Sequence, residues 1–219
     1  MPATRKIERV VLGDQAYEAI KERILDQGYA PGEKLNVDRL VRELSVSSTP
    51  IREALTRLVA EGLVRAEPFV GFATAALPDA RYYEDVYNFR GVIEPWAVAQ
   101  AASRRPGPEV IEALRAEVAT MMAGAPSREY RSHRAFTEGD DRFHRIILQA
   151  AGNQVALKSY DDLRFHLHIS RLYLSREQDV GLTHQEHLRI VDALEAGDPD
   201  AAAQAMRLHL QGSYERLIQ

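Results

Sequence analysis

The chain has 219 residues, of which 45% are hydrophobic and 27% charged, and it contains no cysteine. This is the composition of a folded globular protein with room for one large domain or two small ones. Lack of cysteine excludes a disulfide scaffold, thiol catalysis and thiolate zinc sites, so any metal must be held by His, Asp or Glu. The formal net charge is −4. Residues 1–76 carry 11 basic and 11 acidic side chains, so nucleic-acid binding there would need a focused patch rather than bulk charge. The longest apolar stretches fall far below the roughly 18 to 20 residues of a membrane span, and the first ten residues are no signal peptide, so a cytoplasmic protein without membrane partners is expected.

The spacing of Ala16, Tyr17, Ile20 and Ile24 predicts a helix over residues 12–26, ended by Gly28 and the Pro31-Gly32 turn. Asn36 caps a short second helix carrying Leu40 and Leu44, and Ser45 to Ser48 form a tight connection. A third helix is predicted from Pro50 to Glu61, with Thr49 as its cap and Gly62 beyond its end. Its apolar residues Ile51, Ala54, Leu55 and Leu58 follow helical spacing toward a core, while Thr49, Arg52, Glu53 and Thr56 repeat that spacing on another face. Leu63 to Glu67 and Phe72 to Ala75 read as a hairpin around Pro68 and Gly71. Three helices and a hairpin make a winged helix-turn-helix.

Pro78 marks a boundary, after which every element is helical by period, at about 79–103, 108–123, 127–150, 154–174, 182–196 and 199–217. Pro95 inside the first of these predicts a kink. The expected architecture is mainly α: residues 1–76 as a winged helix-turn-helix and residues 77–219 as an antiparallel all-α bundle.

Four residues of the second part fit a metal site. Asp140 and His144 are four apart on one helix and project from one face. His187 and His209 each lie eleven residues from Asp198, the centre of a helix-helix turn, so an antiparallel hairpin brings them to the same height. One carboxylate and three imidazoles suit Zn²⁺, with Ni²⁺ or Mn²⁺ as other borderline ions, one ion per chain. His133, His166, His168 and His184 read as ordinary core or surface groups. Such a site with open coordination could also activate water in a hydrolase, but no H-E-x-x-H signature is present, and Glu186, about 100° around the helix from His187, would face elsewhere.

The segments Pro31-Gly32-Glu33-Lys34-Leu35, Leu44 to Leu55, and Leu58 with Glu61-Gly62-Leu63-Val64 resemble the GntR family of bacterial transcription regulators. Arg90 with Glu94, Asp140 with Phe143-His144, Glu186-His187-Leu188 and His209-Leu210 resemble the FCD ligand domain of its FadR subfamily. The resemblance implies a homodimer on a pseudo-palindromic operator, with the third helix in the major groove and the wing near the minor groove. It implies DNA contacts from Ser47, Thr49 and Arg52, with Gly71 in the wing, and Ser48 and Thr56, on the same exposed strip, are further DNA-contact candidates. Two departures stand out, Ser48 where the family often has arginine and Asp38 where some members have it, so the resemblance does not carry the usual operator half-site over to this chain.

The resemblance also implies Asp140, His144, His187 and His209 as metal ligands, and a small organic acid as effector. Arg90 matches an arginine that often faces the effector cavity, although a helix ion pair with Glu94 is an equal reading; Arg164 and Tyr87 are further effector-contact candidates. The function implied is a ligand-responsive regulator, in most such cases a repressor. The alternative keeps the regulator and makes the metal itself the signal.

Overall fold

The computed structural model describes residues 3–123, 130–164, 167–168 and 180–218. The chain divides into two compact units, Met1–Leu77 and Pro78–Gln219.

In the first unit α1 (Ala3–Leu25) packs on α3 (Ser48–Ala60), with α2 (Val37–Leu44) beside it. The core is the predicted stripe of α1, Ala16, Tyr17, Ile20 and Ile24, closed by Leu40 and by Ile51, Ala54, Leu55 and Leu58 of α3. Asn36 caps α2, its side chain accepting from the N–H of Arg39. A three-stranded antiparallel sheet, β1 (Lys34–Leu35), β2 (Val64–Glu67) and β3 (Gly71–Thr74), has the order β1-β3-β2. In the hairpin Val64 pairs with Thr74 and Glu67 with Gly71, whose φ of 108° is open to glycine at low cost.

Three expectations change. α1 begins nine residues before residue 12 and runs through Gly13, where an added Cβ would stand 3.5 Å from Glu53 Oε2 of α3. The cap of α3 is Ser47 rather than Thr49, which puts Pro50 at the third helical position; the first four N–H groups of a helix have no intrahelical partner, so proline is tolerated there too. β1 was not expected, because two residues are too few to show alternation.

The second unit is helical: α4 (Ala80–Ser103), α5 (Pro108–Ala123), α6 (Tyr130–Ala150), α7 (Gln154–Leu163), α8 (Val180–Ala196) and α9 (Pro199–Ile218). Asp79 caps α4 through the N–H of Tyr82, and Asn153 caps α7 through those of Val155 and Ala156. α4 continues through Pro95, which gives up the bond to the Gly91 carbonyl. α7 ends at Leu163 because Arg164 takes a left-handed conformation with φ 49°, so the single helix predicted over 154–174 stops early. Residues 127–129, 169–174, His166 and the side chain of His133 lie outside the described residues. α9 packs on α4 and α8, and α5 on α6 and α8, around Val98, Leu114, Phe143, Ile190 and Met206.

Candidate metal centre and nucleic-acid interface

The turn between α8 and α9 sets the height of two histidines. Gly197 closes α8 with φ 65°, and Asp198 Oδ1 accepts from the N–H groups of Asp200 and Ala201 to start α9. His187 and His209, equidistant from that turn, then meet with ring centroids 4.4 Å apart. α6 adds Asp140 and His144 from one face, with Phe143 beside them packing its ring 4.3 Å from that of His187.

The four side chains offer ligand atoms that all lie within 4.8 Å of one another. Nε2 of His144 is 3.3 Å from Nε2 of His209 and 3.8 Å from Asp140 Oδ1, and Nε2 of His187 is 3.4 Å from that same oxygen. Around a tetrahedral Zn²⁺, bonds of about 2.0 to 2.1 Å set ligand atoms roughly 3.3 Å apart, so the spacing fits a first-row divalent ion. The chemistry fits as well. The three histidines are buried, and neither ring nitrogen of His187 has a hydrogen-bond partner, a costly state for a polar group that a cation would relieve. Burial, with His209, His144 and Arg90 nearby, pushes His187 well below the usual histidine range. Burial lowers His209 too, against the opposing pull of Glu186. Neutral imidazoles are the form that binds metal.

Behind the ligands stand two carboxylates. Glu94 Oε2 lies 2.6 Å from Nδ1 of His144, a charge contact rather than an aligned hydrogen bond, and Glu94 Oε1 accepts from Nε of Arg90 at 2.5 Å. Glu186 Oε2 lies 3.0 Å from Nδ1 of His209, and Arg216 donates to both Glu186 oxygens. Burial would raise the carboxyl of Glu94, but Arg90 and His144 outweigh it and hold Glu94 at about 2. Hydrogen bonds from His209 and Arg216 likewise overcome burial and hold Glu186 at about 2.

The effector candidates are placed unequally. Arg90 is buried against Glu94, with its guanidinium 5.4 Å from the ring of Tyr87 and 5.9 Å from that of Tyr160. Tyr87 is buried, shares a 2.7 Å hydrogen bond with Ser213 Oγ, and is pushed up to about 12 by burial. Arg164 is exposed at the end of α7, with no contact among the described residues joining it to the four ligands. The contacts of Glu186 and Arg216 behind His209 were not anticipated. The register of the α8–α9 hairpin was the available signal, since the face of α8 adjacent to that of His187 looks onto α9.

In the first unit Ser47, Ser48, Thr49, Arg52 and Thr56 are all exposed along one side of α3 and its N-terminus. Ser47 makes no side-chain capping bond, whereas Thr56 donates to the Arg52 carbonyl at 2.8 Å. Gly71 is exposed at the base of the hairpin turn.

The sequence profile of the bacterial regulatory proteins of the gntR family matches residues 12–73, and that of the FCD domain matches residues 85–212. The chain belongs to the GntR family. Among its GntR relatives, a protein described as a probable D-xylose utilization operon transcriptional repressor of Paenarthrobacter nicotinovorans is 30% identical over 212 residues, covering 96% of this chain and 91% of the relative. The galactonate operon transcriptional repressor of Escherichia coli K12 is 27% identical, covering 97% of this chain and 96% of its own. The solved structure of E. coli McbR/YncC superposes with a TM-score of 0.70 at 20% identity, covering 95% of this chain and 97% of that one, and so shares the fold. This GntR chain, of the FadR-like kind with an FCD domain, is a DNA-binding transcription regulator and not an enzyme. The hydrolase alternative falls with that assignment. Among the described residues no helix is long and apolar enough to cross a membrane.

Proposed function

We propose that this GntR regulator binds a pseudo-palindromic operator as a homodimer through residues 1–76. A small carboxylate bound beside a metal in residues 77–219 controls its DNA affinity, and the relatives that are operon repressors favour repression relieved by the effector. The observation that carries this reading is the convergence of Asp140, His144, His187 and His209, buried except at Asp140, whose side chain is 24% exposed.

A divalent ion, Zn²⁺ first and Ni²⁺ or Mn²⁺ next, supplies Lewis acidity and, with Asp140 as its single anionic ligand, one net positive charge for an anionic effector. Glu94 and Glu186 add none, because Arg90 and Arg216 offset them. Asp140, on the exposed side, marks where the effector enters. Arg90 and Tyr87, buried close to the four ligands, are its first candidate contacts, and Arg164, exposed at the end of α7, is the third.

On the DNA side, Arg52 has the reach and the fork to address guanine, and the hydroxyls of Ser47, Ser48, Thr49 and Thr56 suit phosphates and base edges. Hydroxyls at the α3 N-terminus also stand where a helix favours anions. Gly71 lets the wing backbone approach the duplex. An effector that releases DNA must, by linkage, bind the DNA-bound form less well.

The test has two arms. Metal content per chain of untagged protein purified without chelator should be about one. Affinity for a duplex selected by the protein from a random pool should fall when small carboxylates are added to the metal-loaded form. Loss of DNA binding on metal removal alone would make the metal the signal, and a protein that takes up neither Zn²⁺ nor Ni²⁺ would end the effector mechanism.

A further inference from the structure

We infer that Glu94 and Glu186 are positioning residues that fix two of the three histidines with the proton on Nδ1 and the Nε2 lone pair aimed into the centre. The inference rests on the metal reading above and goes beyond the four ligands. Its first support is parallel construction. Arg90, Glu94 and His144 form one chain of contacts; Arg216, Glu186 and His209 form another, and each ends on an Nδ1. The two chains come from different helices, α4 for the first carboxylate and α8 for the second, so neither is a by-product of the other.

The second support is what those carboxylates force. Glu186, within hydrogen-bond distance of His209 Nδ1, keeps the imidazole proton there and leaves Nε2 as an acceptor, and the negative charge of Glu94 2.6 Å from His144 Nδ1 favours the same tautomer in that ring. Nε2 of His144 and Nε2 of His209 then face one another at 3.3 Å as two lone pairs, with no proton to share. Two acceptors held together by their surroundings are a receptor for a cation.

The third support is the room made for the second chain. Gly212 lies within α9, where glycine is a poorer helix former than alanine. A Cβ there would meet Glu186 Oε1 at 2.9 Å and Arg216 Nη1 at 3.0 Å, so the missing side chain is the space in which that pair sits. His187 shows the contrast: it lacks a hydrogen-bonding partner at either nitrogen and is held by packing against Phe143 instead. The centre thus has two oriented histidines and two ligands, His187 and Asp140, that can adjust.

The experiment uses full-length protein stripped of metal, with histidine ring nitrogens read by long-range ¹H–¹⁵N correlation, and Zn²⁺ affinity measured by competition with a chelator. In the wild type His144 and His209 should show the Nδ1–H tautomer before any metal is added. Glu186→Gln, which keeps an acceptor oxygen but loses the charge, should mix the His209 tautomers and weaken Zn²⁺ binding about 10-fold; Glu186→Ala should weaken it up to about 100-fold. Glu94→Gln should do the same for His144, but it leaves Arg90 buried without its charge partner, so the Glu186 variants decide if it fails to fold. Nε2–H tautomers in the wild type, or Glu186 variants with unchanged tautomers and unchanged affinity, would overturn the inference. A wild type with both Nδ1–H tautomers that takes up no Zn²⁺ would sink the metal reading and uphold the orientation.

Discussion

Nε2 of His144 on α6 and Nε2 of His209 on α9 lie 3.3 Å apart although 65 residues separate them in the chain. Phe143 of α6 and Met206 and Leu210 of α9 belong to one buried core, which brings the two helices to that distance. The centre is therefore assembled by folding, and its occupancy and the stability of residues 78–219 should be linked.

Metal removal tests that linkage. An ion that binds only the folded unit stabilises it by about 2.7 kcal/mol at a free concentration one hundred times its dissociation constant. Thermal unfolding followed with and without chelator should show a drop in midpoint on chelation, restored by added Zn²⁺. His187→Ala should abolish the difference by removing a ligand. A variant with full metal content and an undiminished shift would remove His187 from the ligand set.

Gly212→Ala separates helix propensity from the centre. Alanine favours the helix by about 1 kcal/mol over glycine, yet its Cβ would push against the Glu186 and Arg216 side-chain ends. The metal-free protein should be as stable as the wild type or slightly more so, while Zn²⁺ affinity falls several-fold. An unchanged affinity in chelator competition would show that the pair relaxes without disturbing His209.

Much of this was legible in the sequence, for reasons that can be assigned. The α3 stripe and the α8–α9 hairpin follow from periodicity and turn chemistry, which are local, and the histidine pairing follows from counting residues back from Asp198. Glu94 could be read only as the i, i+4 partner of Arg90, because its approach to His144 depends on how α4 packs on α6. The cap at Ser47 was missed because proline suits any of the first helical positions, so Pro50 alone did not fix the register.

Arg52→Ala tests the DNA face. Arg52 is exposed on α3, and loss of one bidentate base contact costs about 1 to 3 kcal/mol, roughly 5- to 150-fold in affinity. Fluorescence anisotropy on a selected duplex should show that loss, with metal content unaltered. Equal affinity for the duplex would take Arg52 out of the recognition surface.

Tyr17 connects α1 to the end of the same helix that carries Arg52. Its hydroxyl donates to Glu61 Oε1 at 2.6 Å and accepts from Lys21 Nζ at 3.1 Å, while the Arg57 guanidinium lies 3.9 Å from its ring centroid. Glu61 Oε2 is buried without a hydrogen-bond partner, so removing the tyrosine hydroxyl leaves a carboxylate with less compensation than before. That loss costs about 1 to 3 kcal/mol, whereas Leu58→Ala, which opens a cavity in the α1–α3 core, costs about 2 to 5 kcal/mol. Tyr17→Phe should therefore destabilise residues 1–77 less than Leu58→Ala does. Both should leave the chelator-dependent transition of residues 78–219 where it was, because the two units have separate cores. Denaturant unfolding resolved by probes in each unit would read the two effects apart. A shift of the metal-linked transition by Tyr17→Phe would mean that the α1–α3 contact is felt by the second unit.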